Sequence, residues 1–82
     1  MINQTYEIGC SYNMMGVSYK RIKKLDSALW CYNKAIQLFN VVNKEEDIYR
    51  VKANMGVLFS HQKKYDQALA LYKESHQYHQ KN

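Results

Sequence analysis

Apolar side chains return along this chain every three or four positions. From Asn3 to about Arg21 the run Ile8, Tyr12, Met15, Tyr19, Ile22 steps by four, three, four and three. That is the spacing of a helix face, not the alternation of a strand. A second helix is predicted from about Leu25 to Val42, with Leu25, Ala28, Leu29, Tyr32, Ala35, Ile36 and Phe39 inward. A third runs from about Lys44 to Gln62, with Ile48, Val51, Met55, Leu58 and Phe59 inward. A fourth covers about Tyr65 to Tyr78 with Tyr65, Ala68, Leu69, Tyr72 and Ser75 inward, and the tail from His79 to Asn82 is expected to fray.

Polar pairs separate these stretches. Lys23-Lys24 and Lys63-Lys64 lack the glycine expected at a sharp helix stop. Asn43 to Glu46 reads as a capping box, in which Asn43 caps an amide three residues on and Glu46 reaches back. Asn3 or Thr5 is expected to cap the first helix.

The stretch Met15 to Tyr32 returns forty positions later as Met55 to Tyr72, with Met, Gly, Val, Lys-Lys, Asp, Ala-Leu and Tyr repeated in place. Self-similarity at a fixed offset marks a repeat array. Residues 1–82 are therefore read as one all-α domain of two helix–turn–helix units, repeat one at about 3–42 and repeat two at about 44–80. Short links make the four helices antiparallel neighbours. Gly16 costs about 1 kcal/mol against alanine inside a helix, and its return as Gly56 predicts a close approach of another backbone there.

Composition changes this picture little. Proline is absent and glycine scarce, which favours helix. The net charge of +5 raises nucleic acid as a partner, but the basic residues are scattered over turns and helix ends without a like-charge block, so that partner is disfavoured. Cys10 and Cys31 have no metal-ligand spacing and are expected to be unbridged thiols of a reducing cytoplasm. No signal peptide and no apolar run of membrane-spanning length is evident.

The repeated residues resemble the tetratricopeptide repeat. Tyr12, Met15, Gly16, Tyr19, Ala28, Tyr32 and Ala35 supply its pattern in the first copy, and Met55, Gly56, Phe59, Ala68 and Tyr72 in the second. Lys52 stands where a large apolar residue belongs, Ser75 where the last alanine belongs, and Asn40 replaces a closing proline. The period is six residues longer than the usual repeat of about 34, as in bacterial peptide-pheromone sensors of the Rap/NprR/PlcR group and in some eukaryotic scaffold proteins. The resemblance implies a fragment of a right-handed α-solenoid that binds a peptide or protein segment on its concave face.

It also implies the site. Asn13, Val17, Lys20 and Arg21 map into the groove from the first copy, and Arg50, Asn54, Val57 and His61 from the second. A side-chain amide both donates to and accepts from a peptide backbone, so Asn13 and Asn54 are either peptide-holding residues or part of a solvated face. Lys20, Arg21 and Arg50 would attract an acidic or C-terminal carboxylate. The carboxylate clamp of chaperone adaptors is incomplete, because Val17 stands at its first-helix asparagine. Trp30 is either a convex contact point or a cover for the end of the first hairpin.

No catalytic constellation is legible. The serines lack an activating His and acid, there is no Gly-rich phosphate loop, and His76 and His79 alone do not make a metal site. No cofactor is expected. Two repeats leave apolar end faces, with Ile8, Tyr12, Leu71 and Tyr78 open to exposure, so a homodimer or hairpin exchange is the rival role.

Overall fold

The computed structural model describes the backbone of residues 2–81 and the side chains of residues 4–77. Four helices follow one another: α1 (Ile2–Arg21), α2 (Leu25–Val41), α3 (Glu45–His61) and α4 (Tyr65–Lys81). No strand occurs among the described residues. α4 continues past the expected end at Tyr78, and α1 starts early enough that Asn3 and Thr5 lie within it and not at its cap.

The second, third and fourth helices start every twenty residues, and one turn design makes all three links. Lys24 N–H donates to the Tyr19 carbonyl at 2.9 Å and Lys23 N–H to that of Lys20 at 3.0 Å. Lys44 and Asn43, then Lys64 and Lys63, repeat this pair of bonds onto Phe39 and Asn40, and onto Phe59 and Ser60. This is the Schellman arrangement, which needs one left-handed residue after each helix. Lys23, Asn43 and Lys63 occupy that place, with φ of 63°, 57° and 62°.

The capping box read at Asn43 is therefore not formed. Asn43 closes α2 in the left-handed conformation, and Lys44 precedes α3 without a side-chain cap bond. Asparagine tolerates that conformation better than most residues, and closing α2 used the residue that would have opened α3.

α2 is covered on two sides, by α1 and by α3, whereas α4 meets only α3. The burial follows this order. Ala28, Cys31, Tyr32, Ala35 and Phe39 of α2 are essentially inaccessible, and Val51, Met55 and Leu58 of α3 complete the core. Burying a side chain such as Phe39 or Leu58 stabilises by about 1.5–3 kcal/mol. Among the described side chains of α4 only Ala68 and Ser75 are buried, and Tyr65, Leu69 and Tyr72, expected inward, are exposed.

The stripe read on α1 divides. Tyr12 and Tyr19 pack against the core, while Ile8, Met15 and Ile22 face outward. Gly9 and Gly16 form the buried line instead, and what approaches them is not backbone. The Phe39 ring lies on Gly9 and the Tyr32 ring on Gly16, as the Tyr72 ring lies on Gly56. Of the residues expected to show at the ends, Ile8 is exposed and Tyr12 and Leu71 are half-buried; the side chain of Tyr78 lies outside those described.

Candidate ligand-binding face

α1 and α3 run in the same direction, side by side, and meet through polar residues two helical turns apart. Tyr6 O–H donates to Asp47 Oδ1 at 3.4 Å, and Asn54 Nδ2 donates to Asn13 Oδ1 at 3.2 Å, both across a separation of 41 positions. Lys20 and His61 continue the same register and line one cavity. Residues seven apart return to nearly the same helix face, so the three pairs form a ladder along the seam.

The middle rung joins the two asparagines that the sequence pattern singled out. Both are half-buried. An amide carries two N–H donors and a carbonyl with two lone pairs. After pairing, Asn13 keeps both N–H groups and Asn54 keeps its carbonyl, and no described side chain engages them. Val17 and Val57 flank the seam half-buried, and Val17 packs against the core.

One end of the ladder is acidic and internally satisfied. Arg50 does not extend freely into the face. Its guanidinium is 3.2 Å from Asp47 Oδ1 and 3.6 Å from Glu46 Oε1, two carboxylate oxygens of its own helix. These are the i,i+3 and i,i+4 pairs that helices favour. The Lys44 ammonium lies 5.3 Å from the centre of the Tyr6 ring, which packs 5.5 Å from that of Phe39. The Tyr6 phenol is held above its usual range, first by its hydrogen bond with Cys10 and then by the negative charge of Asp47.

The other end is basic. Lys20, Arg21, Lys23, Leu25 and His61 line a cavity of about 430 Å³. Lys20 is half-buried; Arg21, Lys23 and His61 are exposed. Of the eight expected site residues, then, Asn13 and Asn54 touch, Lys20, Arg21 and His61 share a cavity, and Arg50 belongs to a separate ion-pair cluster. The sequence pattern did not single out Tyr6, Asp47, Lys23 or Leu25. The seven-residue spacing from Tyr6 through Asn13 to Lys20, matched by Asp47, Asn54 and His61, was the signal that would have found them.

Away from this face the two hairpins fill one equivalent place differently. In the first, Tyr12 meets Trp30 edge-on at 5.8 Å and the Lys34 ammonium lies 5.4 Å from the indole. In the second, Lys52, Ala70 and Glu74 replace Tyr12, Trp30 and Lys34, and Lys52 Nζ reaches Glu74 Oε1 at 3.3 Å. The departure at Lys52 is thus an exchange of an aromatic contact for an ion pair. Trp30 remains 55% exposed. It borders a cleft of about 320 Å³ with Met15, Tyr19 and Cys31.

Among the described residues no group of three or more His, Cys, Asp or Glu could hold a metal ion. No described helix is long and apolar enough to cross a membrane.

The tetratricopeptide repeat family model matches residues 7–81. The transcriptional activator NprA of Geobacillus stearothermophilus is 29% identical over 62 residues, which are 76% of this chain. The chain spans about 15% of the length of that relative. No solved structure matches the chain.

Proposed function

The chain belongs to the tetratricopeptide repeat family, and from that premise we propose that it is a non-catalytic module that binds an extended peptide or protein segment along the α1–α3 seam. The observation that carries this reading is the Asn13–Asn54 pair. One amide offers free donors and its neighbour a free acceptor. That matches the C=O and N–H that an extended backbone presents, whatever its side chains. A preformed seam also leaves little to order on binding, so more of the contact energy appears as affinity.

The partial likeness to a transcriptional activator supports a finer reading, in which this module is a peptide-sensing segment of a cytoplasmic regulator. Cys10 and Cys31, which are not bridged, suit a reducing compartment.

The test is a calorimetric titration with short peptides of the wild-type chain, Asn13→Ala and Asn54→Ala. Loss of one amide leaves the other without its partner and weakens binding about tenfold, the effect of about 1.4 kcal/mol. Unchanged affinity in both variants removes the assignment.

A second reading, self-association, rests on a different observation. Leu25, Leu29 and Tyr32 of α2 pack in or against the core, whereas their repeat equivalents Tyr65, Leu69 and Tyr72 on α4 are exposed at 63%, 54% and 39%. At the opposite flank Met15 and Ile22 are exposed. Joining these two flanks between copies would extend the stack head to tail. Sedimentation at low micromolar concentration decides it. Association that Leu69→Lys abolishes supports the reading, and a folded monomer throughout rejects it.

A further inference from the structure

We propose that the end of the molecule formed by the α1–α2 and α3–α4 turns binds the phosphate backbone of a nucleic-acid duplex. The proposal does not depend on the α1–α3 seam being a peptide-binding face.

Along the chain the basic residues are scattered; in the fold they are gathered. α1 and α3 run the same way, so the turns that follow them lie at one end. Residues 18–28 and 58–68 bring Lys20, Arg21, Lys23, Lys24, Lys63 and Lys64 to that end, six of the twelve Lys and Arg. Only Asp26 and Asp66 of the seven acids accompany them. Lys20 is half-buried and the other five cations are exposed. Among the described residues none of the six is in an ion pair. The α2–α3 turn, at the other end, sets Glu45, Glu46 and Asp47 against Lys44 and Arg50. Charge is thus polarised along the helix axes, and a clustered basic face is the electrostatic footprint of a nucleic-acid partner.

The turns themselves carry a second observation. All three share one hydrogen-bond pattern and one left-handed residue. That conformation is strained for a residue with a Cβ, less so for asparagine, and open to glycine. The turn at the far end uses Asn43, and the two turns of the basic end use Lys23 and Lys63. Backbone geometry does not account for the difference, because it is the same in all three. Packing does not either. Lys44 and Lys64, one position on, lie over the rings of Tyr6 and Phe59. Lys23 and Lys63 make no cation–ring contact and no ion pair among the described residues. Two cations held at strained positions with no internal counterpart point to an external one.

Charge density narrows the partner. Duplex DNA carries one negative charge per about 1.7 Å of its axis. Even an all-acidic extended peptide carries only one per about 3.3 Å. A gathered set of cations without counter-charge gains most from the denser line. A bilayer presents a plane, whereas these cations border a recess of about 430 Å³ to which Lys20, Arg21 and Lys23 of the first hairpin and His61 of the second contribute. A recess suits a ridge of phosphates better than a flat surface.

The test titrates the 82-residue chain into a short fluorescent duplex and follows anisotropy. Binding at about 50 mM salt is expected in the micromolar range and independent of base sequence. Raising salt to about 200 mM is expected to weaken it about a hundredfold, the loss for about four neutralised phosphates. Lys23→Gly combined with Lys63→Gly is expected to lower affinity at least about tenfold and to halve the salt slope. Its melting temperature should hold or rise, because glycine relaxes both turns. A loss of binding without a loss of stability excludes unfolding as the cause. Lys34→Met combined with Lys73→Met removes the same charge from the middles of α2 and α4, and is expected to change affinity less than about threefold.

Absence of duplex binding at about 100 μM protein and about 50 mM salt overturns the proposal. Equal losses from the two double variants do so as well, since binding then follows net charge and not the turns. So does tighter binding to phosphatidylserine vesicles or to hexaglutamate than to the duplex, which would make this end a lipid- or protein-docking surface. Ile22 and Tyr65, exposed beside the lysines, make the vesicles the sharper of these two rivals.

Discussion

The ring of Tyr32 rests on Gly16 so closely that a Cβ there would sit 2.5 Å from Cε1, while at Gly56 the same ring atom of Tyr72 would be 3.0 Å away. The two tyrosines differ in freedom. Tyr32 is fully buried between α1 and α3, whereas Tyr72 is 39% exposed. Gly16→Ala is therefore expected to destabilise by about 1–3 kcal/mol through overpacking, despite the helix-propensity gain of about 1 kcal/mol. Gly56→Ala is expected to stay within about 1 kcal/mol of the wild type, because an exposed ring can swing away. Urea denaturation of both variants checks this, and equal losses would contradict it.

The Tyr32 hydroxyl is buried with no hydrogen-bond partner among the described residues. Tyr32→Phe keeps the ring over Gly16 and removes that hydroxyl. It is expected to leave stability unchanged or raise it by up to about 1 kcal/mol. A loss larger than that, in the same denaturation experiment, would reveal a partner for the hydroxyl.

Burial, and secondarily the neighbouring Cys31, pushes the Tyr32 phenol above its usual value. Below about pH 10 the phenol is protonated in both the folded and unfolded chain, and its contribution is constant. As pH rises further the unfolded chain ionises first, so stability falls until the folded phenol also titrates. Tyr6, raised as well, contributes with the same sign. Stability measured from pH 8 to 11 is expected to decline at the alkaline end, less steeply for Tyr32→Phe. A slope identical in the two proteins would exclude Tyr32 as a source.

Cys31 is 2% exposed and burial raises its thiol, while Cys10 is half-buried. The reactive species is the thiolate. A disulfide reagent is expected to modify Cys10 first and Cys31 only when the chain opens. In Cys10→Ser the remaining reaction should accelerate with added urea; rapid labelling without it would contradict the burial.

Lys23, Asn43 and Lys63 hold left-handed backbone at the three turns. A residue with a Cβ pays about 1–2 kcal/mol there, asparagine less. Lys63→Gly is expected to raise stability by about 0.5–1 kcal/mol and Asn43→Gly by less. Thermal melts of the two variants give the order, and a destabilised Lys63→Gly would contradict the turn geometry.

The helices and the repeat were legible because they depend on spacing along the chain; a close approach at Gly16 and Gly56 was legible too, but not that an aromatic ring from the next helix makes it. The end of α2 was not. Asn43 suits both a cap and a left-handed stop, and local chemistry did not rank the two. The candidate face was half legible. Repeat equivalence relates positions forty apart, so it pairs Asn54 with Met14, which is 70% exposed. Contact across the seam joins residues 41 apart, because neighbouring helices meet through facing flanks and not through equivalent ones. Nor did motif mapping reveal that Arg50 would be taken by acids one turn away on its own helix.

Met15 and Met55 show the boundary between the two sources of information. They are the same residue in the same place of each repeat, and the chain determines by itself that both sit on a helix and face the same way within their hairpins. Yet Met15 is 41% exposed and Met55 is 9% exposed. α2 lies against the flank that carries Met55, and no described helix lies against the flank that carries Met15. Periodicity assigns a side chain to a face; only the packed structure assigns that face a neighbour, since burial depends on the whole arrangement of helices around it.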